Sequence, residues 1–125
     1  MNKKELLDLL NEIKIDKEEF TILSSSALVL RGILDVAGDL DIAVTEKGLE
    51  ELKENYNLIR KDNGWYTVTD KIECVLDDMD GKKEEHGGYY LQDIYSYLSY
   101  LKGSRREKDK LRIPLVEKYI NSKGN

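Results

Sequence analysis

The sequence predicts a single α+β domain, and three observations carry that reading. Apolar and polar residues alternate in short runs at 39–44, 65–69 and 72–76, the period of a strand with one face buried. Stretches at 3–13, 46–54 and 91–101 instead carry apolar residues at helical spacing among charged ones. At 125 residues the chain can build one modest core and is too short for two.

Taken in order, Leu6, Leu7, Leu9, Leu10 and Ile13 form the stripe of an N-terminal helix, assigned to 1–18 with its apolar stripe over 3–13. Phe20 to Leu23 is a short β-branched run suited to a buried strand, and it stops at Ser24, Ser25 and Ser26. Ala27, Leu28, Leu30 and Ile33 predict a helix ending near Gly32, a residue suited to a left-handed cap. The Asp39–Val44 strand follows, then a surface helix at 46–54 with Leu49 and Leu52 turned inward. Leu58–Arg60, a turn at Asp62-Asn63-Gly64 and Trp65–Thr69 read as a hairpin, and Ile72–Leu76 as a further strand. Residues 78–88 read as a polar loop that closes the core segment 20–88. C-terminal helices then span 89–121, the first from Leu91 to Leu101 and the second opening at Arg105 and Arg106, with Pro114 as a kink or a restart.

Composition narrows the function. A formal net charge of -5 argues against bulk nucleic-acid binding through a basic surface, and leaves room for a nucleotide held through a metal. Cys74 is the one cysteine and sits in an apolar run, so it reads as a buried structural thiol, with no disulfide or cysteine-based zinc site inside the chain. No apolar run approaches the ~20 residues of a membrane span. Met1 to Glu5 lead into an amphipathic helix without a signal-peptide core, so the expected location is the cytoplasm.

The chemistry-bearing residues lie on the strands and turns. Asp39 and Asp41, two apart on a strand, project to one face while Leu40, Ile42 and Val44 point the other way. Two adjacent carboxylates repel, and a hard divalent cation with oxygen ligands would relieve them; a solvated strand end would do so too. Glu73 is an acid on an otherwise apolar strand. Ser24, Ser25 and Ser26 stand where a strand turns into a helix, a place for phosphate contacts or for ordinary capping. His86, alone in its loop, is assigned no role.

Together these pieces resemble the nucleotidyltransferase superfamily in its small single-domain form, which includes the minimal, AbiEii-type and lincosamide-type members. Leu23-Ser24-Ser25-Ser26-Ala27-Leu28-Val29-Leu30-Arg31-Gly32 is similar to that family's strand, small-residue turn and helix. Asp39-Leu40-Asp41-Ile42 matches its Asp-x-Asp strand, and Glu73 its third carboxylate, with Asp77 a poorer candidate. Leu101-Lys102 followed by Arg106-Glu107-Lys108-Asp109 matches its C-terminal basic motif. Ser24 stands where the family has its first turn glycine, and Glu73 where an aspartate is usual.

The resemblance implies helices packed on a small mixed sheet, with two C-terminal helices. It implies Mg²⁺-dependent transfer of a nucleoside monophosphate from an NTP to a hydroxyl of a protein, an RNA or a small molecule. Asp39 and Asp41 would hold Mg²⁺, and Glu73 would complete a second metal position or act as general base. Ser24, Ser25 and Ser26 would face the phosphates, and Lys102, Arg106 and Lys108 would neutralise their charge, with Asp109 orienting these basic neighbours. Two other readings stay open: a catalytically silent relative that binds a nucleotide or a protein partner, and an unrelated α/β interaction module. Tyr89, Tyr90, Tyr95, Tyr97 and Tyr100 would supply either core packing or a surface for a partner or a second copy.

Overall fold

The computed structural model describes residues 1–77 and 82–123. Along the chain these form α1 (Lys3–Glu12), a 3-10 turn (Lys17–Glu19), β1 (Phe20–Ile22), α2 (Ser24–Leu30), β2 (Leu40–Val44) and α3 (Glu46–Asn55). Then come β3 (Ile59–Arg60), β4 (Tyr66–Thr69), β5 (Ile72–Leu76), β6 (Lys83–His86), β7 (Tyr89–Gln92), α4 (Ile94–Gly103) and α5 (Glu107–Lys123). The strands make one mixed sheet in the order β3-β4-β5-β2-β1-β7-β6. β2 lies parallel to β5, and β1 parallel to β7. The α+β class, the mixed sheet and the two C-terminal helices are as the sequence predicts.

Two clusters hold this together, and α2 belongs to both. Ala27, Val29 and Leu30 join the main core with Leu6, Leu10, Ile22 and Ile42. Leu28 points the other way and nucleates a second cluster with Ile94, Tyr97, Leu101 and Val116 of the C-terminal helices. An apolar helix buried on both sides explains why Ser26 to Leu30 are all buried. It also packs α4 and α5 against α2 through Leu28. Gly32 ends that helix at φ 82, with the Ile33 N–H donating to Leu28 O at 2.9 Å and the Gly32 N–H to Val29 O at 3.0 Å. This is the glycine-capped ending expected from the sequence. Cys74 is free and buried, and burial, reinforced by Glu73, pushes its thiol up to about 11.

The structure differs from the sequence-based expectation in three places. The N-terminal helix stops at Glu12, and Asp16 caps a separate 3-10 turn. The stretch expected to be loop contains β6, while residues 78–81 of it lie outside those described. Gly87 and Gly88, at φ 58 and φ 89, form a two-residue turn that pairs His86 with Tyr89. Such left-handed turns match the twist of a hairpin, so Gly-Gly was a hairpin signal inside a charged segment. Charged residues suit an edge strand, and Glu84 is tied by the buried Arg31 guanidinium at 3.0 Å. The third difference follows from the second. Leu91 belongs to β7, paired with Ile22, and α4 starts only after Asp93, whose carboxylate accepts the Ser96 N–H at 2.9 Å. α5 runs unbroken through Pro114.

Candidate functional site

Register builds the acidic cluster. The parallel pairing of β2 with β5 sets Asp41 directly beside Glu73, so both side chains leave the same face. Asp39, two residues before Asp41, shares that face. The three carboxylates bring ligand oxygens within 4.8 Å of one another, and they could hold a metal ion. Asp77 takes no part, because it follows the far end of β5, where its N–H donates to Val44 O at 2.9 Å.

Electrostatics mark Asp41 as the strained member. Burial pushes its carboxyl up from 3.8 to about 6, and the charges of Asp39 and Glu73 add to this against the pull of Lys61 and Lys108. Its Oδ1 is buried without a hydrogen-bond partner. An unsatisfied carboxylate oxygen beside two further carboxylates is a donor set suited to a hard cation.

Beside Asp41 opens a cavity of about 260 Å³. Ser24, Ser25 and Asp41 line it, and Arg106, Lys108 and Arg112 of the C-terminal region supply three cations to its lining. Trp65, Tyr97 and Tyr100 complete it with aromatic surface. A wider depression of about 640 Å³ lies by Thr45, Leu76 and Asp77, at the other end of the same strands.

The cations are held by α4 and α5. Arg106 grips Asp109 through Nε at 2.8 Å and Nη2 at 3.2 Å, and Nη2 also donates to the Tyr100 hydroxyl at 3.3 Å. The Asp109 side chain is 0% exposed, and the Ser104 hydroxyl donates to it at 2.6 Å. Hydrogen bonding from Arg106 holds the Asp109 carboxyl below the usual range. Arg112 donates to the Tyr97 hydroxyl at 3.0 Å. Asp109 thus orients Arg106, the role expected from the sequence.

The serine turn divides its labour. Ser24 adopts φ 52, the left-handed conformation that glycine takes without strain, and its N–H is bound by Gln92 Oε1 at 3.2 Å. The serine therefore keeps a glycine-like backbone. Ser25 lines the cavity. Ser26 does not: it is fully buried, donating to Leu23 O at 2.8 Å and accepting the Asp41 N–H at 3.4 Å. With the Leu23 N–H on Asp41 O at 2.9 Å, it ties the turn to the backbone that carries Asp41. Lys102 is likewise absent from the lining and pairs with Glu117 at 3.7 Å. α2 has only seven residues, so the cavity's positive charge comes chiefly from α5 and the turn before it.

A left-handed non-glycine residue costs about 1–2 kcal/mol, partly offset by the chain entropy that serine saves. Ser24→Gly is expected to stabilise the fold by about 0.5–1 kcal/mol, read by thermal unfolding. A lowered Tm would show that the serine side chain contributes more than its backbone costs.

Three residues of this neighbourhood carry no site role in the sequence reading: Lys61, Trp65 and Arg112. Arg112 follows Lys108 by four residues, so helical spacing alone puts both on one face of α5. Tyr97 and Tyr100, expected as core or partner surface, share a helix face because they are three apart on α4, but only the packing of α4 against α2 turns that face to the cavity. Among the described residues no helix is long and apolar enough to cross a membrane. In comparisons with known proteins, no family model, no curated protein and no solved structure matches this chain.

Proposed function

We propose that this protein is a Mg²⁺-dependent nucleotidyltransferase that moves a nucleoside monophosphate from an NTP to a hydroxyl group. One observation carries the reading: of three carboxylates with ligand atoms within 4.8 Å, Asp41 lines a cavity that Arg106, Lys108 and Arg112 also line. A metal–triphosphate complex needs that pairing of an anionic seat for the ion with cations for the phosphate oxygens.

In this reading Asp39 and Asp41 hold the ion and Glu73 completes its oxygen set. The ion, when bound, supplies charge neutralisation at the phosphoryl group under attack. Arg106 and Lys108 neutralise the departing pyrophosphate, and Arg112, steadied by Tyr97, adds a third charge. Ser25 is the turn residue placed to meet a phosphate oxygen. The acceptor oxygen forms its bond to the α-phosphorus as the bond to pyrophosphate breaks, and the hydroxyl proton leaves to a base or to water.

A second reading, a catalytically silent chain that binds a nucleotide or a protein partner, is favoured by Lys61, whose ammonium already sits 2.7 Å from Glu73 Oε2. Calorimetry with the four NTPs, with and without Mg²⁺, tests the first reading. Metal-dependent binding lost in Asp39→Asn/Asp41→Asn, together with pyrophosphate release, is the expected result. Binding without pyrophosphate release, across protein, RNA and small-molecule acceptors, would favour the silent reading. No binding at all would overturn the nucleotide site.

A further inference from the structure

Lys61 is the one cation in direct contact with the acidic cluster among the described residues. Its position follows from the sheet. Ile59, Thr67 and Glu73 lie in one row across β3, β4 and β5, and Lys61, two residues beyond Ile59, keeps the face of that row. The turn that carries it is closed. The Lys61 N–H donates to Trp65 O at 2.7 Å, the Gly64 N–H to Lys61 O at 3.1 Å, and the Trp65 N–H to Asn63 Oδ1 at 3.0 Å. Gly64, at φ 88, permits the tight return. The ammonium is thus delivered to Glu73 by a fixed turn, while its side chain stays 40% exposed.

Resting on the metal reading above, we infer that Lys61 is a built-in counter-ion that competes with the divalent cation for Glu73, so that the site takes its cation together with a triphosphate rather than alone. A bare ion must displace the ammonium or bind beside it, and like charges a few ångströms apart repel. At physiological salt the screening length is ~8 Å, so the repulsion survives at hydrogen-bonding range. A cation carried on a triphosphate brings its own anions, and Arg106, Lys108 and Arg112 then contribute attraction that the bare ion does not receive. The same ammonium offsets the mutual repulsion of Asp39, Asp41 and Glu73 while no cation is bound.

The probe is Mn²⁺ alone, titrated against the full chain and followed by the electron paramagnetic resonance of the free ion, with thermal unfolding as a fold check. Lys61→Met is expected to bind Mn²⁺ about tenfold more tightly than wild type. Lys61→Arg, which keeps the charge, should stay near wild type. Adding Asp41→Asn to Lys61→Met should abolish the gain. Affinity for Mn²⁺–ATP should change by less than that for Mn²⁺ alone. Equal Mn²⁺ affinity in wild type and Lys61→Met would overturn the role of Lys61 while leaving the metal site standing. Failure of both proteins to bind either Mn²⁺ or Mn²⁺–ATP would overturn the metal site, and the role of Lys61 with it.

Discussion

Asp41→Asn should abolish the proposed nucleotidyl transfer, by a factor of at least ~10³, and at the same time make the metal-free protein more stable at pH 7.5. Both effects have one cause. The native carboxyl titrates at about 6, against 3.8 for its ordinary value, because burial and then Asp39 and Glu73 oppose its charge. The native state therefore holds this proton more tightly than the unfolded chain does. Stability falls as pH rises from 3.8 to about 6 and stays lowered above that. An uncharged amide removes the cost, and the gain is about 1–2 kcal/mol once water's access to the carboxyl is allowed for. Urea unfolding at pH 7.5 and below pH 3.8 should show the gain at the first and none at the second. Mg²⁺ together with ATP, each at millimolar concentration, should raise the Tm of wild type and leave that of the variant unchanged. Metal-dependent nucleotide binding by the variant would remove Asp41 from the site.

Asp109→Ala should act in the opposite sense, lowering stability by about 2–3 kcal/mol at neutral pH. Its side chain is fully buried and accepts two bonds from Arg106 and one from Ser104. With the carboxylate gone, Arg106 loses its bidentate partner, keeping only the Tyr100 hydroxyl, and Ser104 is left without its acceptor. Its carboxyl lies below the usual range, so its stabilisation is full above pH 3.8 and lost as the pH falls through the native value. The gap between wild type and variant should close in acid. NTP affinity should fall about tenfold, because Arg106 no longer faces the cavity in a fixed orientation. An unchanged affinity would show that Arg106 does not touch the phosphates. The two aspartates thus give stability opposite dependences on pH, one because burial and two neighbouring carboxylates oppose its charge and one because Arg106 and Ser104 bind it.

How much of this could be read from the chain depends on what each feature needs. The β2 alternation settles that Asp39 and Asp41 share a face opposite Leu40, Ile42 and Val44, because side-chain direction on a strand is a local property. The helical stripes of α1 and α3, the left-handed cap at Gly32 and the β3–β4 hairpin are local in the same way, and the structure contains each of them. β6 escaped because Lys-Glu-Glu-His carries no apolar alternation. It is an edge strand held by a turn and by Arg31, so pairing alone makes it a strand.

The sequence by itself therefore determined the fold class, the two-acid face of β2 and a serine turn ahead of it. Which further groups meet that face is a matter of register and packing between segments far apart in the chain. Parallel pairing selects Glu73 over Asp77, the hairpin delivers Lys61 to Glu73, and the burial of α2 on both sides brings α5 with Arg106, Lys108 and Arg112 to the cavity. The same packing turns Ser26 inward and leaves Lys102 on Glu117. A residue's own neighbours fix the direction of its side chain, whereas only the assembled sheet and helices fix which side chains it meets.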